Sequence, residues 1–401
     1  MRHFLIAVLM LLPLTAQAEA QLSQRDYQLL TQAFKLIEAE QYAEAHKYLM
    51  EAKSQVGNDY ARALISHNLG QVELQRERYG KALGHLRDSY ELNALPKEQQ
   101  INLIRTLAQL NCIEENWSTC ASLLEQWMHQ APGKVKGDDH LLLAQAYSRL
   151  KKWSKVVKQV SAAINSRDVA PENWYQLKVV AHIRLRQWRA AIREQKRLIS
   201  HYADKPLHWR RLVSLQLEVK DQQAALATQR MGFERNLLRK DSDYRLLAEM
   251  MLQAQVPYFA GLVIQEGVEN GVLNPDKKTL KLLSRSWIQA HESEKAVDVL
   301  VQLNQLAPSR QSLTRLAHMQ IELRDWQGAQ ATLLKALKHS QGKQARLQLL
   351  LGITRIKLKS YEQARHALSA AAADKQLKAT ADGWVRYLDQ ISLDSPQAKA
   401  S

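Results

Sequence analysis

The two cysteines of this 401-residue chain are close enough in sequence to form a covalent bond with one another. Cys112 and Cys120 flank the segment 113–119, which has the polar character of a turn between two helices. In an oxidising compartment the pair is expected to form a disulfide across that turn, contributing roughly 2.5 kcal/mol for a loop of about eight residues. Two unpaired buried thiols are the alternative. A catalytic redox pair is disfavoured because the C-x-x-C spacing is absent.

Histidine, serine and glycine motifs indicate no catalytic or metal site in this sequence. The thirteen histidines form neither H-E-x-x-H nor H-x3-H, and no C-x2-C accompanies them. A G-x-S-x-G motif is also absent. Lys134 lies in a glycine-containing loop, residues 131–137, but no G-K-[ST] occurs, so a phosphate-binding loop is not indicated. The sequence therefore predicts a protein that is not an enzyme and needs no cofactor or metal.

Positive charge is concentrated in residues 149–211, which contain sixteen Lys or Arg against four Asp or Glu. The whole chain carries a formal charge of +16, so most of the excess is regional. Trp153 and Trp188 each stand among several of these cations, a mixture that also occurs in nucleic-acid-binding proteins. The other interpretations are a solvated face, an acidic partner segment, anionic lipid head groups and cell-wall polymer.

The stretch 351–371, LGITRIKLKSYEQARHALSAA, indicates the secondary structure that carries these residues. Gly352, Ala364 and Leu368 fall at helical spacing on either side of Tyr361, which predicts two antiparallel helices that meet at small residues. Small side chains let the two backbones approach closely. One such hairpin cannot bury its own apolar faces and therefore needs neighbours.

The same pattern recurs along the chain as an aromatic residue followed three positions later by a small or slim one. From Tyr42 to Trp188 successive aromatics are 37, 38, 36 and 35 residues apart. Between Trp188 and Trp326 the aromatic is missing, but the apolar frame continues, which gives ten units in all. The recurring pairs are Tyr42/Ala45, Tyr79/Ala82, Trp117/Cys120, Trp153/Val156, Trp188/Ala191, Trp326/Ala329 and Tyr361/Ala364.

This pattern resembles the tetratricopeptide repeat (TPR), a helix-turn-helix whose small and aromatic residues recur in a fixed order. The resemblance implies an all-α fold, a right-handed TPR superhelix (α-solenoid) of about ten helix-turn-helix repeats that encloses a concave groove. Trp384, Tyr387 and Leu388 predict an extra C-terminal capping helix over residues 375–391. Chance apolar patterning in a helical bundle is the alternative, and the fixed register disfavours it.

The start of the chain has the features of a secretory signal peptide over residues 1–18. Arg2 and His3 precede an apolar run, residues 4–14, and Ala16 and Ala18 supply the small residues of a cleavage site. The expectation is cleavage near Ala18 and a periplasmic protein without stable membrane insertion; a retained membrane anchor is the alternative. Nucleic-acid binding is not predicted, because an exported protein rarely meets nucleic acid and the repeats account for both tryptophans.

One unit departs from the repeat pattern and divides the predicted domain plan. Pro257 stands where the turn aromatic is expected, and Gly261, Gly267 and Gly271 follow it, so residues 253–275 are predicted to form a degenerate repeat and a possible hinge. Sequence drift is the alternative. The plan also includes an N-terminal TPR block, residues 19–252, a C-terminal block with the capping helix, residues 276–391, and a disordered tail, residues 392–401.

Such arrays bind proteins or peptides, and the general design of this chain is similar to TPR proteins encoded beside TonB systems. The resemblance implies an accessory role in TonB-dependent energy transduction for iron-siderophore or haem uptake, with TonB, ExbB or ExbD as partners. One alternative is a periplasmic TPR regulator of peptidoglycan synthesis or envelope assembly, and the other is an accessory or remnant of a cell-wall-cleaving enzyme. Weak contact with anionic lipid or cell wall is also expected. In TPR proteins ligands lie against the first helix of each pair. The residues predicted to face the groove are Gln145, Arg149, Gln176, Arg184, Arg210 and Ser214.

Overall fold

A computed structural model describes residues 22–339 and 344–393 of the chain, with side chains through Ile391. The predicted signal peptide and residues 394–401 of the predicted tail lie outside these residues. Within the described ranges the chain forms 21 α-helices and no strand, which confirms the predicted all-α class. None of the described helices combines the length and the apolar character needed to cross a bilayer.

The helices pair into ten antiparallel hairpins followed by one further helix, and the chain divides into two compact units, residues 1–203 and 204–401. The repeat count expected from the sequence is therefore confirmed. The first unit contains five hairpins. Their helices are α1 Gln24–Glu38, α2 Tyr42–Lys53, α3 Asp59–Gln75, α4 Tyr79–Glu91, α5 Lys97–Ile113, α6 Trp117–Gln130, α7 Gly137–Arg149, α8 Trp153–Asn165, α9 Glu172–Arg184 and α10 Trp188–His201.

The second unit contains hairpins six to ten and the closing helix. Within each hairpin the two helices pack on one another, and the second helix also packs on the first helix of the hairpin that follows. The helices are α11 Pro206–Glu218, α12 Gln222–Glu234, α13 Asp241–Gln253, α14 Pro257–Glu269, α15 Lys277–Gln289, α16 Ser293–Leu306, α17 Arg310–Glu322, α18 Trp326–Lys338, α19 Ala345–Lys357, α20 Tyr361–Ala372 and α21 Lys378–Leu393.

The recurring aromatics mark the places where second helices begin. Each of the seven aromatics identified in the sequence is the first residue of the second helix in its hairpin. Tyr361 is partly buried and packs against Ile356, Ala364 and Leu368, so the ring closes the turn as expected. An aromatic at this position shields the end of the helix interface from water and fixes where the chain reverses.

Glycine is required where two helices of a hairpin approach most closely. A Cβ atom added to Gly352 would lie 2.6 Å from Cγ of Leu368, and one added to Gly70 would lie 2.4 Å from Cγ of Leu86. Both leucines are fully buried. The predicted stripe of small and large residues is thus the contact surface between the helices, because each leucine occupies the space that a glycine leaves open.

A residue in the left-handed region ends the first helix of every hairpin. The amide of Gln41, three residues after the end of α1, donates to the carbonyl of Leu36, and the amide of Glu40 donates to the carbonyl of Ile37, which is the Schellman pattern. All ten turns use a side chain other than glycine at this point, with φ between 55 and 61°. These residues are Glu40, Glu77, Glu115, Lys151, Arg186, Lys220, Gln255, His291, Arg324 and Lys359.

The unit with the weakest repeat pattern forms a regular hairpin, α13 with α14. Pro257 is the first residue of α14, where proline costs little because the amide has no partner in the helix. A Cβ added to Gly261 would lie 2.5 Å from the ring of Trp287 on α15. This glycine therefore admits a tryptophan from the next hairpin. A hinge in residues 253–275 stays a prediction.

The closing helix α21 covers the tenth hairpin, as expected for the end of a solenoid. Leu388 is fully buried against Leu368 and Ile356, and Trp384 packs beside them. The helix begins at Lys378, three residues later than the sequence indicated. Asp374 explains the delay, because its carboxylate accepts a hydrogen bond from the amide of Gln376 and holds residues 374–377 in a turn.

Candidate interaction surface

The two cysteines meet across the third hairpin. Cys112 near the end of α5 and Cys120 near the start of α6 are joined in a disulfide, with their Cα atoms 5.2 Å apart. Both side chains are buried. The bond closes a tight turn inside the core, out of reach of a substrate, and its effect in this position is to hold α5 against α6.

Four of the residues predicted to face a partner lie on first helices of the first unit. Gln145 on α7 and Gln176 on α9 are partly buried, and Gln176 Nε2 donates to Glu172 Oε1 at 2.6 Å. Arg149 and Arg184 are the last residues of their helices and are exposed. The two glutamines are therefore on the helix face, whereas the two arginines lie at the turn.

Each of these arginines reaches back to the turn aromatic of the preceding hairpin. The guanidinium of Arg149 lies 5.5 Å from the ring centre of Trp117, and that of Arg184 lies 5.9 Å from the ring of Trp153. Cation–π contacts of this kind contribute about 0.5–1 kcal/mol at exposed sites. They hold the guanidinium groups in place while leaving them open to solvent.

The other two predicted residues lie on α11 in the second unit. Arg210 donates from Nε and Nη2 to the two carboxylate oxygens of Asp243 on α13, at 3.0 and 2.7 Å. These hydrogen bonds raise the pKa of Arg210 above its ordinary value. Ser214 is exposed, and its hydroxyl donates to the carbonyl of Arg210. The charge of Arg210 is thus already paired inside the chain.

A link of the same kind joins other first helices. Arg105 on α5 donates to Asp139 on α7, and Arg245 on α13 donates to Thr279 on α15. Asp139, Asp243 and Thr279 are each the third residue of their helix. The carboxylates of the two aspartates also accept a hydrogen bond from the backbone amide of the residue that precedes the helix. Sequence reasoning missed this ladder. An arginine followed 33 or 34 residues later by a capping aspartate or threonine is the signal that could have revealed it.

Three further cations on first helices were also missed. Lys278, Lys281 and Arg285 lie on one exposed face of α15. In the part of the chain that the structure describes, no carboxylate pairs with any of them. Their spacing of i, i+3 and i+7 is the sequence signal for a shared helix face. This is the densest group of unpaired charge on the first-helix faces of the second unit.

A buried polar cluster lies between the first two hairpins. Glu73 on α3 is fully buried, and its carboxylate lies 2.8 Å from Arg76 Nη1 and 2.9 Å from His46 Nδ1. Nearby, Gln71 Nε2 contacts Nε2 of His67 at 3.4 Å, and burial lowers the pKa of His67 to about 4. Among the described residues, no group of His, Cys, Asp and Glu is arranged to hold a metal ion.

Comparison with known proteins gives no match to a family model and no match among curated proteins. Solved structures with a related arrangement include a tetratricopeptide repeat protein from Parabacteroides merdae, which is 12% identical over 66% of this chain and 99% of that one, with a TM-score of 0.36. YrrB, described as a TPR protein with an unusual peptide-binding site, is 13% identical over 52% of this chain and 98% of its own, with a TM-score of 0.38.

MamA from Desulfovibrio magneticus RS-1 is 13% identical over 45% of this chain and 97% of its own, with a TM-score of 0.34. With TM-scores between 0.34 and 0.38, these three structures show nothing about the function of this chain.

Proposed function

We propose that this protein is a non-catalytic scaffold that binds a protein partner along the exposed faces of its first helices. The observation that carries the proposal is the group Lys278, Lys281 and Arg285 on α15. On the neighbouring helix α13, Arg245 is bound by Asp241 and Thr279. Arg245 is therefore already bound within the chain, whereas among the described residues the three cations of α15 have no carboxylate partner. Three such cations on one exposed helix face are suited to binding an acidic segment of a partner.

The binding free energy that these three charges can supply limits how tightly this face holds a partner without other contacts. The three cations span seven positions, about 10 Å along the helix at 1.5 Å per residue. Each exposed ion pair contributes about 0.2–1 kcal/mol. Charge therefore steers the partner and sets its orientation, while affinity must come from further contacts on the second unit.

The test combines photo-crosslinking with charge reversal. Probes at Gln145, Gln176 and Ser214 in the living cell are expected to give adducts with one recurring partner, identified by mass spectrometry. Lys281→Glu with Arg285→Glu should then reduce capture of that partner. The matched control is Lys335→Glu with Lys338→Glu, on the exposed side of α18, which is the second helix of the ninth hairpin. Equal loss in both variants, or adducts without a recurring partner, would refute a specific first-helix interface.

The finer proposal is that the scaffold is periplasmic and serves a TonB-dependent uptake system for iron-siderophore or haem. It is supported by the signal-like residues 1–18 and by the general resemblance of the sequence to TPR proteins encoded with such systems. Sequencing of the N-terminus of the protein isolated from cells tests export, since cleavage near Ala18 leaves Glu19 first. Adducts with TonB, ExbB or ExbD would support the assignment. Adducts with peptidoglycan synthases or envelope-assembly factors would replace it by the regulatory role.

A further inference from the structure

The residue in the left-handed position of the hairpin turns in the first unit changes the sign of its charge between the third and fourth hairpins. The left-handed position is occupied by Glu40, Glu77 and Glu115 in the first three turns and by Lys151 and Arg186 in the next two. All five side chains are exposed. Because the backbone geometry is the same in each turn, the conformation does not dictate the charge, and the segregation needs another reason.

The fourth and fifth turns form one continuous basic surface. Arg184 of the fifth hairpin lies over Trp153 of the fourth hairpin, and Trp153 directly follows Lys151 and Lys152 in the chain. Arg149 lies in the same way over Trp117 of the third hairpin. We call Arg149, Lys151, Lys152, Arg184 and Arg186 the basic edge. Among the described residues, none of the five forms an ion pair with a carboxylate.

Two arginines of the basic edge are positioned to bind a carboxylate. A guanidinium carries N–H groups in a fork that matches two carboxylate oxygens. The guanidinium carbons of Arg149 and Arg184 lie 5.5 and 5.9 Å from the ring centres of Trp117 and Trp153, and both side chains are exposed. Since the cation–π contact already limits their rotamers, less side-chain freedom is lost when an anion binds.

We propose that the basic edge docks an acidic, carboxylate-rich polypeptide segment of a partner protein. The inference rests on the proposed function in assuming a protein partner, but it assigns a second surface, at the hairpin turns, away from α15. A bilayer fits less well, because a flat anionic surface against this edge would also approach Glu115 of the third turn, which lies two residues before the Trp117 that Arg149 covers. A short segment can contact the fourth and fifth turns alone, and with a Debye length of about 8 Å the glutamates beyond it are largely screened.

The chain supplies conservative variants for a test. Glutamate occupies the left-handed position in three turns, so Lys151→Glu with Arg186→Glu places a residue that the same turn already accepts. The control is Lys220→Glu with Lys359→Glu, which makes the same change at the same turn position in the second unit. Lys151→Asn with Arg186→Asn removes the charges with a residue that adopts the left-handed region readily. Circular dichroism melts establish that each variant is folded.

The probe is a labelled peptide of alternating glutamate and serine, compared with its glutamine counterpart by fluorescence anisotropy. The wild-type protein should bind the glutamate peptide in preference, and more weakly as salt rises. The Lys151/Arg186 reversal should raise Kd about tenfold and the asparagine variant by less, while the Lys220/Lys359 control stays within about twofold. Equal affinities for the wild-type protein and the Lys151/Arg186 reversal would overturn the proposal.

Two other outcomes would also overturn it, in favour of a different occupant. If anionic phosphatidylglycerol vesicles bind through Lys151 and Arg186 at a salt concentration where the peptide is released, the edge is a lipid-binding surface. If the wild-type protein sediments as a dimer and the reversal as a monomer, the acidic turns of a second copy occupy the edge. Loss of peptide binding only in Lys281→Glu with Arg285→Glu would refute the basic edge but leave the proposed function standing.

Discussion

Arg210 and Asp243 join the first helices of the sixth and seventh hairpins through two parallel hydrogen bonds, of 3.0 and 2.7 Å. Asp243 is buried, with 3% of its surface exposed, and its carboxylate also accepts the amide of Lys240 at 2.9 Å. One carboxylate therefore caps its own helix and binds the neighbouring helix. In a structure built from nearest-neighbour interfaces, such a link couples the stability of adjacent hairpins.

Removing the arginine should leave this buried carboxylate without its cation. We expect Arg210→Met to destabilise the second unit by about 2–3 kcal/mol, because the apolar stem is kept while the charged hydrogen bonds are lost. Arg210→Lys should recover only part of this, since a lysine cannot form the two-pronged contact. The measurement is urea unfolding with hydrogen exchange of α11 and α13. Ser214→Ala, on the exposed side of α11, is the control and should change stability by less than about 0.5 kcal/mol.

Adding one methyl group at Gly352 should destabilise the tenth hairpin. The new Cβ would lie 2.6 Å from Leu368, so the helices must separate, at a cost of about 1–3 kcal/mol. Combining Gly352→Ala with Leu368→Ala should cost less than the sum of the two single changes in thermal unfolding. Gly383→Ala is the control, because its nearest contact would be 3.9 Å away and alanine favours the helix by about 0.5–1 kcal/mol. Destabilisation of the same size in both would exclude close packing as the cause.

Reduction of Cys112–Cys120 should weaken the third hairpin without unfolding the array. The chain-entropy estimate for a loop of about eight residues is roughly 2.5 kcal/mol. Hydrogen exchange in α5 and α6 should therefore become faster in a thiol reductant, while helices in the second unit keep their rates. A Cys112→Ala, Cys120→Ala variant should show no response to the reductant. An equal response in that variant would mean that the reductant acts elsewhere.

Acid should destabilise the second hairpin through His67. Burial lowers the folded pKa of this side chain from 6.5 to about 4, so the folded state favours the neutral ring. The stabilising contribution is complete above pH 6.5 and is lost as the pH falls through 4, with a total of roughly 3 kcal/mol. Urea titrations followed by exchange in α3 between pH 7 and 4 measure this loss. In His67→Gln the slope over that range should decrease, whereas His339→Gln, an exposed site, should leave it unchanged.

The repeat architecture was accessible from the sequence because its signals are local. Tyr361 and Trp153 each begin a second helix where the aromatic pattern indicated, and Gly352 meets Leu368 as their spacing implied. Helix boundaries follow from periodicity, small residues and turns within one hairpin. The start of α21 was less accessible, since it depends on a single hydrogen bond made by Asp374.

The roles of the candidate site residues were less accessible. Sequence placed Arg149, Arg184 and Arg210 together as residues facing a groove. The structure gives Arg210 a carboxylate partner, while Arg149 and Arg184 lie over tryptophans at the hairpin turns. An arginine side chain reaches several ångströms, and its partner belongs to another hairpin, so periodicity within one helix does not specify the contact. For the unpaired cations of α15, the spacing in the sequence predicts that they share one helix face. Only the structure shows that no described carboxylate pairs with them.

The all-α class and the ten hairpins follow from the amino-acid sequence alone, because seven hairpins repeat the same local pattern of aromatic and small residues and the other three keep its apolar frame. The tertiary structure decided which charges remain available. Arg210 and Asp243 lie 33 positions apart in the chain, and they become neighbours only when consecutive hairpins stack. Stacking neutralises some cations and leaves Lys151, Arg186 and Lys281 exposed, because the distance between side chains in successive hairpins is fixed by packing of the helices that carry them.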